Sequence, residues 1–401
     1  MNTMKLDGFD ISKEVRACLD HAVEIRRDFH RHPELAFEEQ WTSQRIRKEL
    51  EDLSLDCKSY AETGIVAEIE GDCPNEEGVR IILRADMDAL PIEEEAQCPW
   101  RSENSGCMHA CGHDAHMAIM LGVARVLSKR SQKPKASIRF VFQPAEEGGR
   151  GAKAMFSEGL ALEDADYALA FHVWSPFPLG ELGIIKGSAL ASVDRFRARV
   201  QGKGSHAAVP EQSIDPIVIA SQIIGSAQTI VSRRISPQKS AVLSFTRIQG
   251  GSTYNVIPQE VELLGTIRCL DDKVREATKE QLRRVGEDVA HALGGEFSLE
   301  FIGGLPVLKN DGAFCDRIEP LAASIVGKDN VSHPRALMVS EDMSLFLERL
   351  PGAMILLGCG NEEATVYPHH HPKFTLDERS IALGMELAVR AVDEFGAPLS
   401  A

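Results

Sequence analysis

The sequence predicts an α/β protein: a larger domain on a mixed, mainly parallel sheet covered by helices, with a smaller α+β domain inserted into it. Three observations predict this. Helix-like and strand-like segments alternate up to Ser188. From there the order becomes strand, helix, strand, strand, helix, strand, which matches a split βαβ unit. The chain then returns to a wholly apolar strand, AMILLGCG, and a last helix over 377–395.

Residues 11–31 have helical spacing, and this helix stops at HRHPELAFEE, where Pro33 lacks the N–H a helix needs. Thr42 to Leu53 reads as a second amphipathic helix. GIVAEIEG and GVRIILRAD read as strands, and AHMAIMLGVARVLSKR as an apolar helix. ASIRFVFQP and ADYALAFHV are further strands, rich in residues buried on both faces, as in parallel sheets. In the insertion, DRFRARVQGKGS alternates polar and apolar residues. It is followed by a helix from Ile214 to Val231, the strands SAVLSFTRIQG and VELLGTIRCL, a helix from Asp272 to Ala292 and the strand EFSLEFIGG. The expected domains are 1–188 with 304–401, and 189–303. No low-complexity segment, long linker or repeat interrupts them.

The bulk properties narrow the partners. At 401 residues and 43% hydrophobic content the chain can build a proper core. A net charge of −16 without a Lys/Arg run argues against nucleic acid and anionic membranes. The start, MNTMKLDGFDISKEV, lacks the charged, apolar and small-residue regions of a secretory signal. No apolar stretch approaches the ~20 residues that span a bilayer. Nine scattered cysteines do not form a disulfide framework. The expectation is a soluble, reduced, cytoplasmic protein.

The chemistry concentrates in CMHACGHDAHM, which puts two cysteines, three histidines and an aspartate into the segment Cys107 to Met117. Thiolate and imidazole are the ligands zinc and its neighbours prefer. Other candidates stand at strand ends: Glu146 and Glu147 in FQPAEEGG, His172 in LAFHVW, and His369, His370 and His371 in YPHHHPKF. Sites of open α/β sheets form at the carboxyl ends of strands, so these groups can converge on one crevice. Cys111 and His113 can point to one side of a turning backbone, and a Cys111 thiolate can bridge two cations. Of two adjacent glutamates, one can bind metal while the other moves protons.

Blander readings stand beside these. The Cys/His run can be a structural zinc clasp, although no second CxxC or HxxxH pair accompanies it. His172 can be a rim histidine, the glutamates a solvated pair, Arg268 a strand-end ion pair, and the other cysteines small buried hydrophobes. Cys107, His109, His116 and the HRHPE histidines count as structural or supporting. There is no G-x-S-x-G elbow and no P-loop, and GKGSHA lacks the third glycine of a dinucleotide fingerprint.

The ordered set HRHPELAFEE, RADMDALP, MHACGHDAH, QPAEEGGRGAKAM, FHVW, GKGSHAAVP, NVIP, GTIR, SEDMS and HHPKF resembles the dinuclear metal-dependent aminoacylase and carboxypeptidase family. Within it, the set is similar to the indole-acetyl-amino-acid hydrolase and hippurate hydrolase branch. The match runs from about Phe29 to the C-terminal helix.

The resemblance implies a catalytic domain with an inserted lid and dimerisation domain. It also implies two divalent ions per chain, of Zn, Mn, Co or Ni. Cys111 bridges them and His113, Glu147, His172 and His370 complete the ligands, His370 being two residues before a proline. Glu146 is implied as general base, and His206 as the group that stabilises the oxyanion, often from a partner subunit. Asn255 and Arg268 match positions that contact the substrate's carboxylate, for which a planar guanidinium is suited. Asp86 and Asp88 fall where other branches keep a ligand histidine and its orienting aspartate, and here are expected to support the ligand imidazoles. The implied activity is hydrolysis of N-acyl-L-amino acids by a homodimer or higher homo-oligomer. A dipeptidase or carboxypeptidase on the same centre and a non-catalytic metal- or ligand-binding protein are the alternatives.

Overall fold

The computed structural model describes residues 6–72, 78–360 and 367–396. The chain divides into two compact units: Met1–Gly187 with Lys309–Arg335 and Glu341–Ala401, and Ser188–Leu308 with Ala336–Ser340.

The first unit is built on an eight-stranded sheet. Its spatial order is Cys57–Tyr60, Gly64–Ile69, Ser137–Gln143, Arg80–Asp86, Tyr167–Pro178, Gly352–Gly360, Leu182–Gly183 and Val331–Ser332. The four central strands pair in parallel. Those pairs read as unbroken apolar runs because both faces are covered; every residue of Gly352–Gly360 is buried. The helix His113–Ser128 packs against Lys13–Arg31 and Arg379–Gly396. Lys13–Arg31 shows why it forms: Ser12 caps it by accepting from Val15 N, and Val15, Cys18, Leu19, Ala22, Val23, Ile25 and Phe29 make one buried stripe. It ends at His32, before Pro33.

A further helix, Gly312–Val326, lies where the sequence reading assigned no element. Asp311 caps it by accepting from Phe314 N at 2.7 Å, and it carries Pro320 in its interior.

The second unit has a four-stranded antiparallel sheet in the order Ala241–Gly250, Glu260–Cys269, Val193–Gln201, Glu296–Leu305. Numbering these strands along the chain gives 2-3-1-4, the ferredoxin-like arrangement. Glu260–Cys269 alternates exposed or half-buried with buried residues, as a one-sided sheet requires. Its helices are Asp272–Ala292 and Pro216–Thr229. The latter begins two residues after Ile214 because Asp215 accepts from Ile217 N and Val218 N, with Pro216 at the first helical position. It loosens into a π turn over Ile230–Arg234.

All eight cysteines among the described residues are free thiols, and Cys73 lies outside the described residues. No described helix is long and apolar enough to cross a membrane.

Candidate metal centre

The CMHACGHDAHM stretch ends in the start of helix His113–Ser128. Gly112 caps this helix with φ 86, and a Cβ there would stand 2.3 Å from Val173 Cγ2. Only glycine lets the helix begin so close to the strand Tyr167–Pro178, and that approach leaves Cys111 Sγ 3.6 Å from His172 Nε2. Gly112→Ala is therefore expected to cost about 2–5 kcal/mol, from left-handed backbone strain and overpacking. A thermal midpoint equal to the parent's would contradict this.

The histidines are oriented by backbone carbonyls. His113 Nδ1 donates to Asp88 O at 2.8 Å and His172 Nδ1 to Val173 O at 2.7 Å, so each presents Nε2 as its free nitrogen. His116 is engaged at both nitrogens: Nδ1 with Asp86 Oδ1 at 2.6 Å, and Nε2 accepting from Val173 N at 2.9 Å. It supports the centre from behind.

Glu146 and Glu147 follow strand Ser137–Gln143 on a tight turn in which Ala145 has φ 52. Asp88 fixes that turn, its two carboxylate oxygens accepting from Glu146 N at 2.9 Å and Glu147 N at 3.0 Å. Glu39 holds the other side by accepting from Ala145 N. Asp88→Ala is expected to weaken metal binding about 10–100-fold, as read by calorimetry; unchanged affinity would contradict its positioning role.

The three C-terminal histidines separate cleanly. His369 Nε2 donates to Val173 O at 2.8 Å and its ring stacks on Trp174. His371 stacks on Tyr367 and accepts from Lys373 N. His370 has φ 66, is tied by its N–H to Ala110 O, and places Nε2 3.2 Å from Glu147 Oε1.

Behind these groups lies a buried network that joins Asp86 to Arg84, Glu341 and Asp342. Arg84 reaches Asp86 at 2.9 Å, Glu341 at 3.0 Å and Asp342 at 2.7 Å, while its Nε donates to Gln143 Oε1. One guanidinium serves three carboxylates, and burial pushes the Asp342 carboxyl up to about 8. Burial, then the charges of Glu341, Glu147 and Asp342, also hold the Glu146 carboxyl well above the carboxylate range.

Cys111 belongs to two donor sets. Its Sγ lies within 4.8 Å of ligating atoms of His113 and His172 in one, and of Glu147 and His370 in the other; His113, Glu146 and Glu147 form a further set. His113 Nε2 is buried with no hydrogen-bond partner, 4.0 Å from Glu147 Oε1, which His370 Nε2 approaches to 3.2 Å. Burial and the nearby Glu147 charge push the Cys111 thiol well above its usual range, a burden that a cation in place of the proton would lift. Buried donors of S, N and O type, with His113 Nε2 unpaired among them, fit a borderline divalent ion.

The remaining sequence candidates lie in the second unit. His206 stands on a short strand paired with Val256–Ile257, beside Asn255, whose carbonyl accepts from Ala207 N. His206 Nδ1 accepts from Ala208 N at 3.0 Å, which leaves Nε2 as the N–H donor. Arg268 is half-buried and donates to Met338 O at 3.2 Å and Ser340 Oγ at 3.3 Å. Burial and the neighbouring Arg195 lower its pKa.

Residues 82–394 match the model of peptidase family M20/M25/M40. The chain belongs to this family. Over 366 residues it is 40% identical to an N-acetylcysteine deacetylase of Bacillus subtilis, covering 91% of this chain and 94% of that protein. It is 36% identical over 380 residues to thermostable carboxypeptidase 2 of Saccharolobus solfataricus, covering 93% and 95%. A solved dinuclear metal-binding peptidase of the M20 family from Bacillus subtilis superposes with a TM-score of 0.82 at 34% identity, covering 94% and 98%. As a member of the M20 family the chain is a metal-dependent amide hydrolase, and the Cys111 cluster supplies its candidate metal-binding groups.

Proposed function

We propose that the chain hydrolyses the amide bond of N-acyl-L-amino acids, releasing a carboxylic acid and a free amino acid. The observation that carries this reading is Cys111 standing in two donor sets with the buried Glu146 carboxyl beside them. Cys111, His113, Glu147, His172 and His370 would hold two divalent ions. Bound there, the ions supply an acidified water and polarise the amide carbonyl.

The protein's own groups do the rest. The Glu146 carboxylate takes the proton of the attacking water and passes it to the leaving nitrogen. His206, through Nε2–H, donates to the oxyanion. Arg268 and Asn255 bind the substrate carboxylate, a role that suits a half-buried guanidinium whose hydrogen bonds go to the neutral Met338 O and Ser340 Oγ. Asp86 and Asp88 hold the imidazoles and the glutamate turn in place.

The mixed S, N and O donors accept Zn, Mn, Co or Ni. Free thiols at all eight described cysteines fit a reducing compartment, which supports the cytoplasm. The second unit offers a homodimer surface: Ala241–Gly250 is a sheet edge, and Ile248, Tyr254 and Val256 are exposed. The carboxypeptidase relative favours a second reading, cleavage of peptide bonds. The test is kcat/KM for N-acetyl and N-aroyl amino acids against dipeptides. Higher values for the N-acyl substrates support the proposal, and higher values for dipeptides replace it with the second reading.

A further inference from the structure

A second cluster of soft and hard donors lies in the first unit, apart from the residues assigned to the dinuclear centre. His30 comes from the last turn of helix Lys13–Arg31, while Glu94 and Cys98 come from the segment that leads into CMHACGHDAHM. His30 Nε2 is 3.2 Å from Glu94 Oε1, and Cys98 Sγ is 3.7 Å from the same oxygen. All three ligating atoms lie within 4.8 Å of one another. Tetrahedral zinc, with bonds of about 2.0–2.3 Å, sets its N, O and S donors roughly 3.3–3.7 Å apart.

The supporting contacts have the form that metal ligands need. His30 Nδ1 lies 2.7 Å from Asp114 Oδ2, the carboxylate–histidine arrangement that fixes a ligand imidazole and leaves Nε2 to the metal. Arg26 Nε sits 2.7 Å from the same carboxylate oxygen. Ser102 N donates to Glu94 Oε2 at 2.7 Å, which pins the carboxylate and turns Oε1 toward His30 and Cys98. Beside the cluster, His109 has both ring nitrogens buried without partners, its ring centroid 6.5 Å from that of His30.

We propose that His30, Glu94 and Cys98 form a further site for a zinc-like divalent ion, a clasp that ties the first helix to the loop carrying the Cys111 motif. Coordination replaces the protons on His30 Nε2 and Cys98 Sγ, so metal uptake releases protons. The site rests on its own geometry, while its separateness rests on the ligand set proposed above, so the experiment reads it with that set dismantled.

The full chain carrying Cys111→Ala and Glu147→Gln is stripped with chelator and titrated with cobalt(II). Bound metal is counted by mass spectrometry, and the thiolate-to-cobalt charge-transfer band is followed by absorption. The expected result is one tightly bound cobalt with a thiolate band, both lost when Cys98→Ala is added. In the otherwise unaltered protein, Cys98→Ala alone is expected to lower metal content by one ion per chain while turnover persists. No bound cobalt in the dismantled protein, or a thiolate band that survives Cys98→Ala, overturns the proposal and leaves the cluster as proton-bridged ion pairs. If the dismantled protein does not fold, unchanged metal content in the Cys98→Ala protein overturns it equally.

Discussion

Glu146→Gln is expected to lower kcat by about 10²–10⁴-fold while both metal ions stay bound. The amide has nearly the shape of the carboxyl and can keep its neighbours, yet it cannot take a proton from water. Glu146 is buried and faces the charges of Glu147, Glu341 and Asp342, so its proton affinity is set high for a carboxyl. A side chain so placed binds a proton during the reaction and gives it up to the leaving nitrogen. Turnover within a few-fold of the parent would remove the residue from its assigned role. Loss of metal together with activity would instead make it a ligand. The paired measurement of kcat and metal content separates the three cases.

Cys111→Ala is expected to empty at least one of the two metal positions and to reduce activity to background. The thiol stands in both donor sets, so its removal takes one ligand from each. No nearby sulfur replaces it in those sets. The side chain is small and buried and the substitution shortens it by one atom, so the helix start at His113 should survive. Full occupancy in Cys111→Ala, measured by mass spectrometry on protein dialysed against metal-free buffer, would contradict the bridge. Cys111→Ser is the informative companion. A hydroxyl is a harder, weaker ligand than a thiolate, so an intermediate affinity with a preference shifted from zinc toward manganese is expected.

Much of this was legible in the sequence for physical reasons. Strands buried on both faces read as apolar runs, and ligating residues that break or follow them stand out, as Glu146 does after Gln143; His172 reads as a strand end, but the strand runs on through it from Tyr167 to Pro178. The ferredoxin-like order of the insertion followed from period-two and helical patterns alone. What escaped depended on long-range contact. Arg84 in RIILRAD is a charged residue within a buried strand, which is a signal. Its partners, Glu341 and Asp342, are more than 250 positions away, and only folding shows that they meet. Asp88 looked like a ligand-supporting residue, but that it holds two backbone N–H groups of the glutamate turn is a property of the turn. The helix Gly312–Val326 carries a proline in mid-segment, which reads as a stop. Among His369, His370 and His371 local sequence offers no physical discriminator. The left-handed backbone at His370, paired with the hydrogen bond of His369 to Val173, is what sends one imidazole toward Glu147.

The central claim is that the Cys111 cluster holds the metals with which this chain hydrolyses N-acyl amino acids. The most direct test is amine release from a panel of N-acetyl, N-benzoyl and indole-acetyl amino acids by protein stripped with chelator and reloaded with Zn, Mn, Co or Ni. The stripped protein is expected to release no amine, and release is expected to rise with added metal and level once the Cys111 cluster is filled. Amide cleavage by the metal-free protein at the reloaded rate would contradict it, as would stoichiometric metal binding with no cleavage of any member of the panel.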